Sequence, residues 1–367
     1  MNHQSYQRTL NFKVQNEVGV FASDSSEVQK YLEDKYHYEL LLDTNSERDF
    51  DGIIKRQKDD LIVQQLQILD KLNRAGSVIS EFARSNREIV HPEYQIIGTV
   101  TGRCTAKRPA ILSFPKVFRS IFSGMPDHQL YSFDYGQIEL GILAGLSQDE
   151  QLIADYNESD IYQELADETD LTRDNAKIFF LGLLYGITDQ NLIKMMGISQ
   201  NEIIEIRQRL MVRYPKIEEM RKRCIQFGQQ HGFINNMFGL HRATVASHNK
   251  STYVQNWEKN WFFNFPIQST AAAVFKKALI HIFESDTKKT MRMVCPLYDE
   301  FLVHIPNTDR AYYIALIRTA MITALSDTFP QLVPKVDLQV YEDEGIDEFN
   351  TRAWSAWFEQ LNVKPMQ

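Results

Sequence analysis

Two short acidic stretches have the residue types and surroundings for metal-assisted chemistry. Asp134 ends the apolar run Tyr131-Ser132-Phe133, and Asp299-Glu300 stands between Met291–Leu297 and Phe301–Ile305, both rich in strand-forming residues. A carboxylate flanked by apolar strand residues is costly to bury unpaired, and a bound cation would remove that cost. Two aspartates on adjacent strands sharing a pair of Mg²⁺ ions would suit an in-line phosphoryl displacement. One metal would activate the attacking hydroxyl and the other would stabilise the leaving pyrophosphate. The same residues also fit a plainer reading, with Asp299-Glu300 as a hairpin turn and Asp134 as a helix N-cap.

A second group stands in Thr172–Gly186, where Arg173, Lys177, Leu181 and Tyr185 recur every fourth position. At 3.6 residues per turn they form a slowly slanting ribbon on one helix face. The cationic end suits a triphosphate, and the apolar and aromatic end suits a sugar and base. Arg173 and Lys177 would lie near the helix N-terminus, where backbone amides also favour anions. An amphipathic helix with a solvated basic edge would read the same way.

These groups need a scaffold of both kinds. Tyr94–Val100, Leu130–Asp134, Met291–Leu297, Phe301–Ile305 and Val336–Tyr341 read as strands, and a strand–turn–strand fits Gly232–Arg242. From Glu139 to Trp261 the pattern is mainly helical, including Ile138–Leu146, Thr172–Leu184, and Ile203–Tyr214 parted from Ile217–Phe227 by Pro215. Val254–Phe283 is again helical, as are Glu27–Leu42, the amphipathic stretch 59–82 and the tail Ile346–Leu361. Strands at both ends of a helical middle predict an α+β fold, a sheet domain with a helical insertion.

The chain has 367 residues, 43% hydrophobic and 24% charged, as a globular protein with a buried core would. No apolar run reaches the roughly 20 residues of a membrane span. The start lacks a signal-peptide pattern, so a cytoplasmic or nucleoid-associated protein is expected. Cys104, Cys224 and Cys295 are too scattered for a disulfide framework or zinc site. The net charge of −8 opposes nucleic acid only if the charges are mixed. They are grouped: Lys107/Arg108 with Lys116 and Arg119, Arg221/Lys222/Arg223, and Lys276/Lys277 are basic, and Tyr341–Glu348 is acidic.

Six motifs in order resemble those of the family A DNA polymerases, the DNA polymerase I group. Asp134-Tyr-Gly-Gln-Ile-Glu-Leu140 is similar to D-Y-S-Q-I-E-L. Arg173-xxx-Lys177-xxx-Leu181-Gly-xx-Tyr185-Gly186 is similar to R-x-x-x-K-x-x-x-F-G-x-x-Y-G, and Tyr298-Asp299-Glu300 to H-D-E. Thr101-Gly102-Arg103, Phe238-Gly239 with Arg242, and Asn264–Ala271 complete the set. The resemblance runs from about residue 60 to 341.

It implies a right-hand polymerase with an antiparallel palm sheet, a helical fingers insertion and a shortened helical thumb. The expected division is 1–84 for the N-terminal segment and reduced thumb, 85–150 for the first part of the palm, 151–262 for the fingers, and 263–367 for the second part of the palm with the helical tail. Asp134, Asp299 and the Tyr135 carbonyl would hold two Mg²⁺ ions, with Mn²⁺ able to substitute. Glu300 would support the metal site or primer end, and Lys177 would protonate pyrophosphate. Arg173, Lys177, Leu181, Tyr185, Gln137 and Tyr162 would bind the nucleotide, and Glu139 would be the steric gate against ribose. Arg103, Asn264, Gln268, Tyr298 and Gly186 would touch primer–template DNA. The partners implied are primer–template DNA, dNTPs and a processivity protein, with no membrane.

Several positions depart from the family. Leu181 replaces an aromatic, Tyr298 and Tyr162 stand where His is usual, Asn260 stands where Arg is frequent, and Leu112-Ser113 replace Gln-Asn. These changes predict a slower or less faithful enzyme. The short N-terminal region leaves no room for an exonuclease domain, which predicts no proofreading and low processivity. Template-directed DNA synthesis is the leading expectation. An atypical nucleotidyl transferase (reverse transcription, untemplated addition or priming) and an inert nucleic-acid-binding subunit are the alternatives.

Overall fold

The computed structural model describes residues 91–114, 116–122, 125–169, 171–244 and 256–341. In chain order the regular elements are β1 (Glu93–Gln95), β2 (Thr105–Lys107), β3 (His128–Tyr135), α1 (Ile138–Ser147), α2 (Glu150–Glu158), α3 (Ile161–Thr169) and α4 (Arg173–Tyr185). There follow α5 (Asp189–Met196), α6 (Gln200–Arg213), α7 (Pro215–His231), β4 (Phe233–Asn235), β5 (His241–Ala243), α8 (Asn256–Ser285), β6 (Arg292–Leu297), β7 (Glu300–Pro306), α9 (Arg310–Ser326) and β8 (Val336–Tyr341). The expected helices at Glu27–Leu42, 59–82 and Ile346–Leu361 lie outside the described residues.

By internal contacts the chain divides into two units. One is Met1–Glu93 with Lys107–Gly124 and Glu342–Gln367; the other is Tyr94–Ala106 with Met125–Tyr341. In the first, the described residues form 3-10 turns at Ile111–Ser113 and Lys116–Phe122, with the Phe114 and Phe122 rings 5.2 Å apart. The second holds every candidate site residue.

The second unit is organised on a four-stranded antiparallel sheet in the order β6-β7-β3-β8. Side chains alternate across a strand, and the register sorts them cleanly. Phe133 faces Phe301, Tyr131 faces Val303, and all four are buried in the main core. Onto this face pack α8 and α9. Phe275 of α8 stacks on Phe301 with centroids 4.3 Å apart, and the Tyr135 hydroxyl donates to the Met321 carbonyl of α9 at 2.7 Å. The opposite face carries Ser132, Asp134 and Glu300. The sheet therefore has an oily side that anchors it and a second side, with Leu130 and Leu302 also buried, whose acidic groups gather at the Asp134–Glu300 end.

The helical insertion is built with clear stop and start signals. Thr172 caps α4, accepting from the Asn175 N–H at 3.2 Å, and Gly186 ends it in the left-handed region at φ 70°. Ser199 and Glu202 form a capping box on α6, and Pro215 sits in the first turn of α7. Pro266 lies inside α8, where it removes one intrahelical hydrogen bond. Among the described residues no helix is long and apolar enough to cross a membrane.

One strand expectation is corrected. The strand over Tyr94–Val100 is only Glu93–Gln95. Ile96, Ile97 and Val100 are exposed, and the chain turns through Gly98 and Gly102, with Arg103 N–H donating to Thr99 Oγ1 at 3.0 Å. Alternating apolar residues there reflect no buried face. Helix α9 had no expectation attached, because Tyr312, Ile314 and Ile322 place apolar groups outside its buried Tyr313-Ile317-Met321 face and blur the helical period.

Candidate active site

Asp134 and Glu300 are direct partners across β3 and β7. One residue on, the Tyr135 N–H donates to the Asp299 carbonyl at 3.2 Å. Asp134 and Asp299 thus come from adjacent strand ends although 165 positions separate them in sequence. Asp134 is strand and not a helix cap; the residue before α1 is Gln137, held at φ 57°. Asp299 does lie in a hairpin turn. Tyr298-Asp299 join β6 to β7, and Tyr298 takes the positive φ, 58°, that tight hairpins require. The turn and the chemical readings of Asp299 are therefore compatible, since the turn is what lifts its carboxylate to the end of the sheet.

Asp299 is mostly buried, and burial pushes its carboxyl above the ordinary range. The Glu300 charge adds to this, while Arg103 and Lys177 pull it down. Glu139, in the first turn of α1, is also pushed up by burial and by Asp299, and is pulled down by Arg103. The Arg103 guanidinium donates to Glu139 at 2.5 Å and lies 6.0 Å from the Tyr298 ring centre. Lys276 of α8 fixes the Arg103 turn by donating to the Gly102 carbonyl at 2.5 Å. The result is an acidic floor, Asp134, Asp299, Glu300 and Glu139, bordered by two cations.

The α4 ribbon runs as its spacing predicts. Ala176, Phe179, Phe180 and Leu184 are buried, Arg173 and Lys177 are exposed, and Leu181 and Tyr185 are half-buried. The Tyr162 ring lies beneath both cations, 5.7 Å from the Arg173 guanidinium and 6.0 Å from the Lys177 ammonium. Tyr162 is buried against Phe180, and burial raises its phenol, with Glu139 and Asp160 adding to the shift. At the far end, Gly186 lies so close to α8 that a Cβ there would sit 2.3 Å from Asn260. Asn260, Asn264 and Gln268 recur every fourth residue on α8, forming a polar stripe on one face.

Serine 132 donates to Glu300, in a buried pair next to Asp134. Among the described residues no cluster of three or more His, Cys, Asp or Glu could hold a metal ion. Mg²⁺ does not need one, because it is commonly bound by one or two carboxylates plus substrate phosphates and water. Asp134, Asp299 and the Tyr135 carbonyl are hard oxygen donors. A cation beside them would relieve the burial that now disfavours the charge on Asp299, so the donor set fits.

Three neighbours had no sequence expectation attached. Asp160 accepts from Arg173 and Gln137, and its position just before the apolar start of α3 is a helix-cap signal. Asp337 faces Asp134 from β8, which only strand register reveals. Lys335 donates to the Ser159 carbonyl, a contact across 176 positions with no local signature. Conversely, some of the basic clusters are spent internally: Arg221 lies 5.5 Å from the Phe263 ring, and Lys277 pairs with Asp327 at 3.0 Å.

Comparisons with known proteins bear on the family and the fold. The profile of DNA polymerase family A matches residues 43–345. DNA polymerase I of Caldicellulosiruptor bescii is 28% identical over 281 residues, covering 72% of this chain and 32% of that protein. The thermostable DNA polymerase I of Thermus aquaticus is 27% identical over 271 residues, covering 69% and 32%. The chain thus spans about a third of the length of the curated relatives it matches. In three dimensions it is similar to the POL domain of Pol1 from M. smegmatis, with a TM-score of 0.80 at 19% identity, over 96% of this chain and 65% of that one. With that overlay the α+β architecture is the right-hand polymerase fold, and the chain belongs to DNA polymerase family A.

Proposed function

We propose that the chain is a template-directed DNA polymerase that adds deoxynucleoside monophosphates from dNTPs to a primer 3′ end. The observation that carries this reading is electrostatic. Lys177, on the cationic ribbon of α4, lies near enough to act on the Asp299 carboxyl, so the cations proposed for phosphate stand beside the paired strand ends that carry Asp134 and Asp299. The similar Pol1 domain was itself solved with primer–template DNA and a dNTP.

In this reading the β6-β7-β3-β8 sheet forms the palm, and α2 to α7 with the β4–β5 hairpin the fingers. Asp134, Asp299 and the Tyr135 carbonyl would hold two Mg²⁺ ions, which when bound activate the primer hydroxyl and offset charge on the pyrophosphate. Glu300, fixed by Ser132, stands opposite Asp134 across β3 and β7 and supports the metal site or the primer end. Arg173 and Lys177 neutralise the triphosphate, and Lys177 can deliver a proton to the departing pyrophosphate. Leu181 and Tyr185 form the wall for sugar and base, with Leu181 giving a softer contact than an aromatic would. Glu139, tethered by Arg103, fills the space beneath the sugar where a 2′-hydroxyl would need to sit. Asn264, Gln268 and Tyr298 border the path of the duplex.

Primer extension on a defined DNA template with Mg²⁺ and single dNTPs tests the reading, with Asp299→Ala beside it. Extension by the complementary nucleotide alone, reduced about 10³-fold or more in the variant, is expected from the loss of a metal ligand. Extension that ignores the template would replace this reading with an untemplated transferase. A mismatched primer end left uncut by the same chain is the expected sign that it does not proofread.

A further inference from the structure

Arg173 is held by a partner within the chain. Its Nε donates to Oδ2 of Asp160 at 2.8 Å, and Nη2 lies 2.7 Å from the same oxygen in an ion pair. The other carboxylate oxygen accepts from Gln137 Nε2 at 2.6 Å and from the backbone N–H groups of Tyr162 and Gln163 at 3.0 and 3.4 Å. Asp160 therefore joins the loop after β3, the start of α3 and the start of α4. Burial would raise its carboxyl, but the Arg173 hydrogen bond and charge and the two backbone donors outweigh burial and hold it below the ordinary range.

The partition of donors is uneven in a useful way. Should Arg173 leave, Oδ1 keeps its amide and two backbone donors. Lys335, anchored on the Ser159 carbonyl, also keeps its charge acting on Asp160. Asp160 is thus satisfied without Arg173, and releasing the guanidinium strands no buried charge. The pair is also exposed, 45% for the Arg173 side chain and 34% for Asp160. Exposed pairs are weak, so a polyanion with several acceptor oxygens competes well for the same fork of donors.

We propose that Asp160 is a positioning residue that holds Arg173 by an ion pair until a nucleoside triphosphate takes the guanidinium from it. The exchange is one anion for another, with no covalent step. It rests on the polymerase reading above. Its consequence is a threshold: a ligand gains Arg173 only by outbidding a carboxylate, which a nucleoside triphosphate does better than a diphosphate.

The test is the Kd of the correct dNTP for the full chain on a primer–template duplex whose primer ends in a dideoxynucleotide, in Mg²⁺. Asp160→Asn removes the charge and keeps a good helix cap; Asp160→Ser, another good cap, repeats the measurement if the first variant fails to fold. Either should tighten dNTP binding about two- to fivefold, which is what ~0.4–1 kcal/mol of a surface pair converts to at 1.4 kcal/mol per tenfold. The corresponding dNDP, which competes less well for Arg173, should gain less than the dNTP. In an Arg173→Met background the gain should vanish, which a mere capping role would not produce. Unchanged or weaker dNTP binding overturns the proposal, as does a gain that persists without Arg173, since Asp160 would then act by general repulsion. A wild-type chain on its duplex that binds no dNTP overturns the polymerase reading and this proposal together.

Discussion

Asp134 and Glu300 face each other across β3 and β7, and the Tyr135 N–H beside them donates to the Asp299 carbonyl at 3.2 Å. The sheet itself thereby crowds acidic groups at one end, and without a cation that crowding costs stability. Asp299 has its carboxyl raised by burial first and by Glu300 second, against Arg103 and Lys177. A carboxyl whose folded value exceeds its unfolded value, about 3.9 for Asp, stabilises the fold fully below the unfolded value. That contribution is lost as pH rises through the folded value. Asp299→Asn, with no charge to desolvate, should therefore be more stable than wild type at pH 7 in EDTA, by an advantage that shrinks towards pH 4. Urea unfolding at the two pH values checks this; an Asn variant that is no more stable at pH 7 would falsify it.

Gly186 is required twice over. Its φ of 70° is in the left-handed region, and a Cβ would lie 2.3 Å from Asn260. Gly186→Ala should cost about 1–2 kcal/mol for the backbone alone, and more from the overlap. Asn260→Ala should recover the second part and leave the first. Thermal unfolding of the single and double variants measures the split; no recovery in the double variant would mean that the Asn260 side chain yields freely.

How much of this was legible beforehand depends on the range of each signal. The α4 ribbon, the Thr172 cap and the Gly186 stop are local, and four-residue spacing with cap residues reveals them directly. The strands around Asp134 and Asp299 were readable from their apolar runs, and their adjacency was an expectation from the metal chemistry two aspartates could share and from motif resemblance, but not their register. Asp337 opposite Asp134 and Lys335 on Ser159 depend on register and on a loop that returns across 176 positions, which no window of sequence contains. The strand expected over Tyr94–Val100 failed because Ile96, Ile97 and Val100 are all exposed and bury no face. α9 escaped because its apolar residues extend beyond its buried side.

Arg103 links recognition to stability. Its guanidinium donates to Glu139 at 2.5 Å, with side chains 30% and 16% exposed. Arg103→Met leaves the Glu139 carboxylate half-enclosed with its cation gone, at an expected cost of about 1–2 kcal/mol, below that of a fully buried pair. Burial, which already raises Glu139, would then act unopposed by Arg103. If Glu139 guards the sugar site only while tethered, the variant should also accept ribonucleotides more readily, by roughly tenfold in the dNTP-to-rNTP ratio of kcat/KM, a discrimination of ordinary size for a single contact. Single-nucleotide insertion kinetics with matched dNTP and rNTP decide the matter, and an unchanged ratio would detach Arg103 from the gate.

Asp155 should respond to acid in the opposite sense from Asp299. It is buried among α2, α3 and α6, and accepts from the Tyr214 hydroxyl at 2.7 Å, Gln151 Nε2 at 2.8 Å and Arg213 Nε at 2.9 Å. Burial alone would raise its carboxyl, but the three hydrogen bonds and the Arg213 charge prevail and lower it. A carboxyl lowered in the fold contributes stability above its unfolded value and loses it as pH falls through the folded value. Asp155→Asn removes the charge that Arg213 and Tyr214 converge on, at a cost of about 2 kcal/mol near neutral pH. The gap between variant and wild type should narrow below about pH 4, as the wild-type carboxyl takes up its own proton. The gap for Asp299→Asn, which has the opposite sign, also closes towards low pH, so both pairs of unfolding curves should converge on acidification, one from above wild type and one from below. Convergence of both from the same side would mean that the Arg213 network does not hold Asp155 in its charged form.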